Sequence, residues 1–339
     1  MMKGSHILLA ACAVWLALAE YARAQDPASV AAASAEERES LFRRAVELSS
    51  RGRAPESIPL YRSLAESGHV ESQKTLARFY LYGRGVPVDK GEAVLWMRRA
   101  AEQGDTESMN NMGYLYNRGL GVEQNEAAAV EWFRKAAEHG CVEAMYNVGV
   151  SYAAGKGVPK DDSKAAEWYR KAAERGDAKA QCNLGACYAN GLGVEQDDAE
   201  ALMWFQKAAE RYITIAEFNI GLYYANGRAV KKDDKMAYTW FQKSAAQGYA
   251  SAQYEMGRCY ASGRGVAQNE ATAFIWYRRA ADQGHAAAQF ELGNCYIFGR
   301  GTRMNSARAL GWFKKAADAG HAEARALYED LKSQIDSMK

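Results

Sequence analysis

Apolar and small residues recur along the chain with helical spacing, in pairs of segments joined by glycine-containing turns. In the first segment of a pair, residues four apart form an apolar face, as Ser108, Met112 and Tyr116 do. Residues at this spacing lie on one face of an α-helix. The second segment carries a Trp three residues after an Ala, as Ala129 and Trp132 show. The pattern predicts pairs of amphipathic helices.

The helix pairs repeat with a period of 36 residues, which is typical of a helical repeat array. The tryptophans that mark this register are Trp96, Trp132, Trp168, Trp204, Trp240, Trp276 and Trp312. Seven full repeats occupy residues 70–321. They predict an all-α solenoid in which each repeat packs on its neighbours.

Shorter segments flank the array. Residues 36–69 form a helix pair with a shorter turn, resembling a tetratricopeptide hairpin, and are predicted to be an N-terminal capping hairpin. Residues 322–339 are predicted to be a single C-terminal capping helix with a charged outer face. Residues 25–35 are small and polar, and are predicted to be a disordered lead-in.

The first 24 residues are typical of a secretory signal peptide. A basic start precedes an apolar run at 7–19, and Ala22 and Ala24 supply the small-x-small cleavage pattern. The segment 1–24 therefore predicts export to the periplasm or secretion. Cys12 lies in a sequence that resembles a lipoprotein box, but the apolar run continues past it, so lipid anchoring ranks second.

Turn and cap residues follow the same register. Gly119 and Gly121 form a Gly-x-Gly turn suited to positive φ, and Asn125 belongs to an Asp/Asn column predicted to cap the second helices. The register breaks twice, where Tyr212 and Ala229 replace turn glycines. A local change of angle is predicted between the fourth and fifth repeats.

Two columns are predicted to build the core. A glycine in each first helix, such as Gly113, weakens the helix and indicates close approach of a second helix. The tryptophans, each flanked by alanines, are predicted to be core residues. If buried, replacement of Trp168 by Ala would cost about 3–5 kcal/mol.

The cysteines do not form an evident disulfide set. Cys187, Cys259 and Cys295 occupy the same position in their repeats. Equivalent residues of neighbouring repeats lie on adjacent parallel helices whose axes are typically about 8–10 Å apart, beyond disulfide reach. They are predicted to be buried thiols, as is Cys182, and the state of Cys141 in a turn stays open.

Charge and motifs exclude several functions. The formal net charge of +2 gives no bulk attraction to nucleic acid. The sequence contains no Ser-x-x-Lys, Gly-x-Ser-x-Gly or His-Glu-x-x-His. The Gly-x-Gly turns follow helices and lack the Lys-Ser/Thr of a phosphate loop. No catalytic residue, cofactor or metal site is therefore predicted.

The repeated motif resembles a known family. Ala-x-x-x-Leu-Gly-x-x-Tyr-x-x-Gly-x-Gly-Val, followed by Asp, Ala, Trp and Ala-Ala-x-x-Gly, is similar to the Sel-one-like repeat, a relative of the tetratricopeptide repeat. The resemblance implies a right-handed superhelix of antiparallel helix pairs, with first helices lining a concave surface. It also implies an adaptor or scaffold for protein complexes.

The first-helix face opposite the tyrosines is the candidate peptide-binding groove. Amide and carboxylate side chains there can bond an extended peptide backbone, and aromatic side chains can act as apolar anchors. The candidate residues are Asn110, Asn111, Tyr114, Tyr146, Asn147, Asn183, Phe218, Asn219, Tyr254, Glu255, Phe290 and Glu291. Four of these asparagines occupy the same position in consecutive repeats and are called the Asn column: Asn111, Asn147, Asn183 and Asn219. The alternative is that the Asn column only forms hydrogen bonds between neighbouring helices.

These features predict a monomeric, exported, non-enzymatic scaffold that binds a protein or peptide in the groove. One alternative is an envelope hydrolase, because a cysteine-rich branch of the family is associated with penicillin binding or β-lactam hydrolysis. That resemblance implies a Cys pair that links the two helices of each repeat. Cys182 lies near the first such position, but Ala208 and Ala209 on the second helix offer it no partner. The other alternative is a module that binds cell-wall glycan or lipid.

Overall fold

The protein is all-helical in the part of the chain that the structure, a computed structural model, describes, residues 26–337. Eighteen α-helices and no β-strand occur there. The helices are α1 Pro27–Ala32, α2 Ala35–Ser50, α3 Ala54–Glu66, α4 Val70–Tyr82, α5 Lys90–Glu102, α6 Thr106–Arg118, α7 Glu126–Glu138, α8 Val142–Ala154, α9 Asp162–Glu174, α10 Ala178–Asn190, α11 Asp198–Ala209, α12 Thr214–Asn226, α13 Asp234–Ala246, α14 Ala250–Ser262, α15 Glu270–Asp282, α16 Ala286–Phe298, α17 Ser306–Asp318 and α18 Ala322–Ser337.

The chain divides after Ala172 into two compact units. In the first unit, α4 packs on α5 and α6 on α7, and successive pairs pack on each other through α5 and α6. In the second unit the pairs are α10 with α11, α12 with α13, α14 with α15, and α16 with α17. The predicted fold of repeated helix pairs is confirmed.

The predicted caps and turns position these pairs. The Asn125 side chain accepts a hydrogen bond from Ala128 N at 2.9 Å and begins α7. Gly119 ends α6 with φ 63°. A Cβ added to Gly121 would lie 2.1 Å from Lys90 O, so this glycine lets the turn pack against the start of α5. The caps and turns follow the predicted columns.

The glycine of each first helix packs against an aromatic ring of the second helix. A Cβ added to Gly113 would lie 2.4 Å from Phe133 Cε1. The same contact joins Gly149 to Tyr169, Gly185 to Phe205, Gly221 to Phe241, Gly257 to Tyr277 and Gly293 to Phe313. In the first repeat, Ala77 replaces the glycine and the narrower Met97 replaces the ring. The predicted close approach of helices is confirmed.

The prediction that the tryptophans are core residues is confirmed for Trp96 and Trp204, which are buried, and is wrong for the other five, which are half-buried. Trp132 and Trp168 are only half-buried, whereas the residues that follow them, Phe133 and Tyr169, are buried. Each tryptophan carries a cation three residues later, as Lys171 lies 4.3 Å from the Trp168 ring centroid. A cation over an indole face is attracted by the ring, and this contact occurs both at the buried Trp96 and Trp204 and at the five half-buried tryptophans.

The terminal segments differ in part from expectation. The predicted signal peptide, residues 1–24, and Cys12 lie outside the described residues. Within the expected disordered lead-in, Pro27–Ala32 forms α1, because Asp26 caps it and Val30 is buried. At the other end, α18 packs on α17. No helix in residues 26–337 combines the length and the apolar character that crossing a membrane requires.

The two register breaks lie in the second unit and hold unusual backbone. Tyr212 has φ 58° and is 78% exposed, and Ala229 has φ 56°. Positive φ is unfavourable for residues with a Cβ. Before Tyr212, α11 ends at Ala209, one residue earlier in the register than the other second helices of the repeats. The change of angle at this junction stays a prediction.

None of the cysteines between residues 26 and 337 is in a disulfide bond. Cys182, Cys187, Cys259 and Cys295 are buried, as predicted, and Cys141 is half-buried at the N-cap position of α8.

Candidate interaction surface

The predicted groove residues all lie on first helices of the repeats. In the first unit they belong to α6 and α8, and in the second unit to α10, α12, α14 and α16. Asn110 and Glu255 are buried, and the other ten are half-buried. The first helices therefore give most of these side chains a partly exposed position, as a binding surface requires.

In the first unit, the Asn column connects α6 to α8. Asn147 Nδ2 donates to Asn110 Oδ1 at 3.0 Å and to the Tyr114 hydroxyl at 3.1 Å. The Tyr114 hydroxyl donates in turn to Glu143 Oε1 at 3.1 Å, and burial raises the pKa of Tyr114. Asn147, Asn110 and Tyr114 are therefore engaged in packing neighbouring helices together, which is the alternative interpretation of the column.

Two further polar groups of the first unit are also engaged. Asn111 Nδ2 lies 4.0 Å from Met97 Sδ, which is a weak contact. Lys74 occupies the position that Asn110 has one repeat later, and its Nζ lies 2.6 Å from Glu107 Oε2. Burial alone would lower the pKa of Lys74, but the hydrogen bond to Glu107 and the nearby carboxylates raise it. The ammonium is therefore charged and bound within the protein.

The second unit leaves the Asn column unpaired. Neither Asn183 nor Asn219 makes a side-chain hydrogen bond within residues 26–337. The repeat register explains this for Asn219. Asn219 is equivalent to Asn147, whose partners are Asn110 and Tyr114. The residues equivalent to those two partners are Cys182 and Ala186 in the repeat before Asn219. A half-buried amide thus lies beside side chains that offer it no oxygen or nitrogen partner.

The aromatic residues of the candidate surface pack against other rings of the protein. Phe218 packs edge-on against Tyr249, with ring centroids 5.2 Å apart. Tyr254 stacks on His285 at 4.8 Å, and Phe290 stacks on His321 at 4.5 Å. Burial lowers the pKa of His285, so its ring is neutral at physiological pH. The rings are fixed in position while their outer parts stay exposed. In the first unit, Tyr146 packs against the buried ring of Tyr169 at 6.0 Å.

The two glutamates of the surface have local partners. Glu255 Oε1 accepts from Arg258 Nη1 at 2.8 Å, and Arg264 lies 3.7 Å from Glu255 Oε2. Glu291 Oε2 accepts from Asn294 Nδ2 at 3.4 Å, a long hydrogen bond. The charge at Glu255 is therefore compensated inside the protein, whereas Glu291 accepts a hydrogen bond from a neutral amide and forms no ion pair within the described residues.

Sequence reasoning missed two apolar residues of this surface. Ile215 is exposed and Leu222 half-buried on α12, and with Phe218 they follow the spacing of one helix face. Leu222 shares the column of Tyr114, which could have identified it. The α12 surface, defined as Ile215, Phe218, Asn219 and Leu222, combines an apolar stripe with an unpaired amide.

The surface offers binding groups rather than reactive ones. Burial raises the pKa of the Cys182 and Cys259 thiols to about 11 and that of Cys295 to about 12. These thiols are protonated at neutral pH and are weak nucleophiles. No group of three or more His, Cys, Asp or Glu side chains in residues 26–337 is placed to hold a metal ion.

Two solved structures are similar to this chain over most of its length. The protective antigen c5321 of uropathogenic Escherichia coli, which displays an SLR fold, is 32% identical, with a TM-score of 0.77 over 88% of this chain and 68% of its own. A Sel1 repeat protein from Oxalobacter formigenes is 31% identical, with a TM-score of 0.70 over 90% of this chain and 93% of its own. No curated protein sequence matches the chain significantly.

The family model matches the whole repeat array. The model described as Sel1 repeat matches residues 70–105, 106–141, 142–177, 178–212, 214–249, 250–285 and 286–321. These seven matches leave residue 213, beside the unusual turn at Tyr212, outside the pattern. The chain therefore belongs to the Sel1 repeat family.

Proposed function

We propose that the protein is a non-enzymatic scaffold that binds a peptide segment of a partner protein on the α12 surface of its second unit. Sel1 repeat proteins generally act as scaffolds for protein interactions, which supports the class of function. The single observation that carries the location is the unpaired, half-buried amide of Asn219 between Phe218 and Leu222.

A peptide backbone would supply what this surface lacks. Its carbonyl and N–H groups would pair with the Asn219 amide, which has one acceptor and two donors to offer. Its apolar side chains would cover Ile215, Phe218 and Leu222, because buried apolar contacts supply most of the affinity of such interfaces. Asn183 on α10 would add a second amide.

Selection of displayed random peptides on the full-length protein tests this function. Peptides that contain apolar residues are expected to bind with micromolar affinity, and Asn219→Ala is expected to weaken them about ten-fold, since a lost hydrogen bond at a desolvated site costs about 1–2 kcal/mol. Phe218→Ala should weaken binding at least as much, because it removes an apolar anchor.

The matched control is Asn147→Ala in the first unit, which should leave peptide affinity unchanged because Asn147 is engaged with Asn110 and Tyr114. Selected peptides whose affinity is insensitive to Asn219→Ala, or sensitive only to Asn147→Ala, would exclude the α12 surface as the binding site.

The remaining parts of the proposal concern location and assembly. The signal-like segment 1–24 supports export to the periplasm or beyond, with anchoring at Cys12 as the lesser alternative. We propose that the protein acts as a monomer and needs no cofactor. The hydrolase alternative has little support, because the buried thiols are protonated and Cys182 is free.

A further inference from the structure

The loop between α16 and α17 exposes apolar and cationic side chains together. Phe298, the last residue of α16, is 61% exposed, and Met304 is 73% exposed. Arg300 and Arg303 are exposed between them. Residues 298–304 are named the Phe298 loop. Large apolar side chains at this level of exposure mark sites of contact with other molecules when they are grouped.

The two arginines of the Phe298 loop carry uncompensated charge. Within residues 26–337, neither Arg300 nor Arg303 forms an ion pair with a carboxylate. Arg300 instead lies over the Phe298 ring, with its Cζ 5.0 Å from the ring centroid. The surrounding sequence, residues 292–317, contains five Lys and Arg and no Asp or Glu. The loop therefore belongs to a segment of positive net charge.

The internal repeats do not share this combination. In their loops, the positions of Phe298 and Met304 hold Arg118 and Gln124, Ala154 and Lys160, Asn190 and Gln196, Asn226 and Lys232, and Ser262 and Gln268. In the preceding loop, Arg264 is paired with Glu255. The exposed apolar pair is thus not a requirement of the repeat fold.

The first repeat carries a related loop. Tyr82 and Val88, at the positions of Phe298 and Met304, are 64% and 57% exposed. The Arg84 guanidinium lies 5.9 Å from the Tyr82 ring centroid, as Arg300 lies over Phe298. Both terminal repeats, each considered within its own unit, therefore present an aromatic residue, an aliphatic or thioether residue and an arginine at the same turn.

The backbone holds the Phe298 loop in place. Arg300 N donates to Cys295 O at 3.0 Å, and Asn305 N donates to Tyr296 O at 2.8 Å. A Cβ added to Gly301 would lie 2.1 Å from Glu270 O, so the loop packs tightly against the start of α15. Because the loop is already ordered, binding through its side chains costs little backbone entropy.

We propose that the Phe298 loop binds an anionic lipid surface. Phe298 and Met304 would enter the boundary between headgroups and acyl chains, and the guanidinium groups of Arg300 and Arg303 would meet lipid phosphates. Positive charge complements the negative surface of such a membrane. Exposed apolar side chains on a fixed loop, grouped with cations, suit insertion into the headgroup region of a lipid surface. The proposal goes beyond the peptide-binding function and involves a different surface.

Oxidation of Met304 in the full-length protein tests the proposal. With dilute peroxide and mass spectrometry of peptides, vesicles in which about a quarter of the lipid is anionic are expected to slow Met304 oxidation several-fold. Vesicles of phosphatidylcholine alone should have little effect. Met236 on α13, which is also exposed, is the internal control. Its oxidation rate should be the same with either kind of vesicle and without vesicles. The phosphatidylcholine vesicles and the variants described next retain any membrane binding by the apolar segment 7–19, so they separate it from binding by the Phe298 loop.

The double variant Arg300→Gln with Arg303→Gln separates specific from general binding. Each arginine near an anionic surface is expected to contribute about five-fold to partitioning, so the protection of Met304 should disappear. Arg264→Gln, in the preceding loop, is the matched control and should keep the protection. Unchanged Met304 oxidation with anionic vesicles, or protection that persists in the double variant, would overturn the proposal. Protection of Met304 by polyglutamate but not by vesicles would overturn it in favour of an acidic protein partner.

Discussion

Arg228 forms a two-pronged ion pair with Asp198, with Nη2 2.5 Å from Oδ1 and Nε 3.1 Å from Oδ2. The same guanidinium donates to Ala189 O at 3.1 Å. This pair adjoins Ala229, which replaces a turn glycine and is held at positive φ. The ion pair and the hydrogen bond therefore connect the turn between α12 and α13 to the preceding helix pair, α10 and α11. They do so next to Ala229, where the sequence departs from the repeat pattern.

Arg228→Ala is expected to lower the free energy of unfolding by about 1 kcal/mol, because the pair is bidentate but partly exposed to solvent. Ala229→Gly should raise the free energy of unfolding by about 1 kcal/mol, since glycine adopts positive φ without steric cost. Urea unfolding of both variants measures this. A result in which Arg228→Ala leaves the urea midpoint unchanged would show that the pair adds nothing to stability.

The contact between Gly113 and Phe133 makes a second prediction. Gly113→Ala should lower the free energy of unfolding by about 2 kcal/mol, because the new methyl group would overlap the ring. Adding Phe133→Met should recover part of this loss, since the first repeat combines Ala77 with Met97.

The control is Gly311→Ala on α17, where an added Cβ meets no atom within 4 Å. This change should stabilise the protein by about 1 kcal/mol through helix propensity. Thermal and urea unfolding should be measured for Gly113→Ala, for Gly113→Ala combined with Phe133→Met, and for Gly311→Ala. Equal effects of Gly113→Ala and Gly311→Ala would contradict a steric role for the first glycine.

The repeat fold could be predicted from the sequence, but the aromatic residue that each second helix buries in the core could not. Ala129 has helical spacing to both Trp132 and Phe133, so the alanine pattern fits either aromatic as the core residue. Burial of Val130 and Ala137 on the face of Phe133 decides between them. Tryptophan is the more regular of the two residues, and in every repeat a Lys or Arg three positions later lies over its ring.

The candidate surface was predictable as a face but not in its bonding. Asn147 and Asn219 share a column, yet only Asn147 meets oxygen partners, Asn110 and Tyr114. The difference depends on which residues the neighbouring helix places opposite the amide. The identity of the residue at one repeat position does not show whether it is paired. Comparing it with the residues at the facing positions of the preceding repeat does.

Glu217 makes stability depend on pH. In four other repeats a Gln at this position donates to the carbonyl eight residues earlier, the pairs being Gln73 with Ala65, Gln181 with Ala173, Gln253 with Ala245 and Gln289 with Ala281. Ionised Glu217 has no proton to donate to the corresponding Ala209 carbonyl. Burial raises its pKa above the ordinary 4.5, although Lys243 and the hydrogen bond from Gln247 oppose the shift.

A raised pKa in the folded state means that folding favours protonated Glu217. Its contribution to stability is complete below about pH 4.5 and is lost as pH rises through the folded pKa. Glu217→Gln should therefore leave stability nearly unchanged in acid and raise it by about 1 kcal/mol at neutral pH. The measurement is the difference in urea midpoint between variant and wild type across this range, which cancels the other titrating groups. A difference independent of pH would contradict the prediction.

Asn147 and Asn219, which occupy the same position in two repeats, should differ in how much replacement by Ala changes stability. Asn147→Ala should lower the free energy of unfolding by about 1–2 kcal/mol, because it leaves Asn110 buried without this partner. Asn219→Ala should change it by less than about 0.5 kcal/mol, since this amide has no hydrogen-bond partner to lose within residues 26–337. Hydrogen exchange of α6 and α12 in the full-length protein measures both effects locally. Destabilisation by Asn219→Ala as large as that by Asn147→Ala would show that Asn219 is a packing residue. It would also remove the basis for assigning the peptide site to α12. If Asn219→Ala is neutral for folding, any loss of peptide affinity in that variant can be assigned to the lost contact with the ligand.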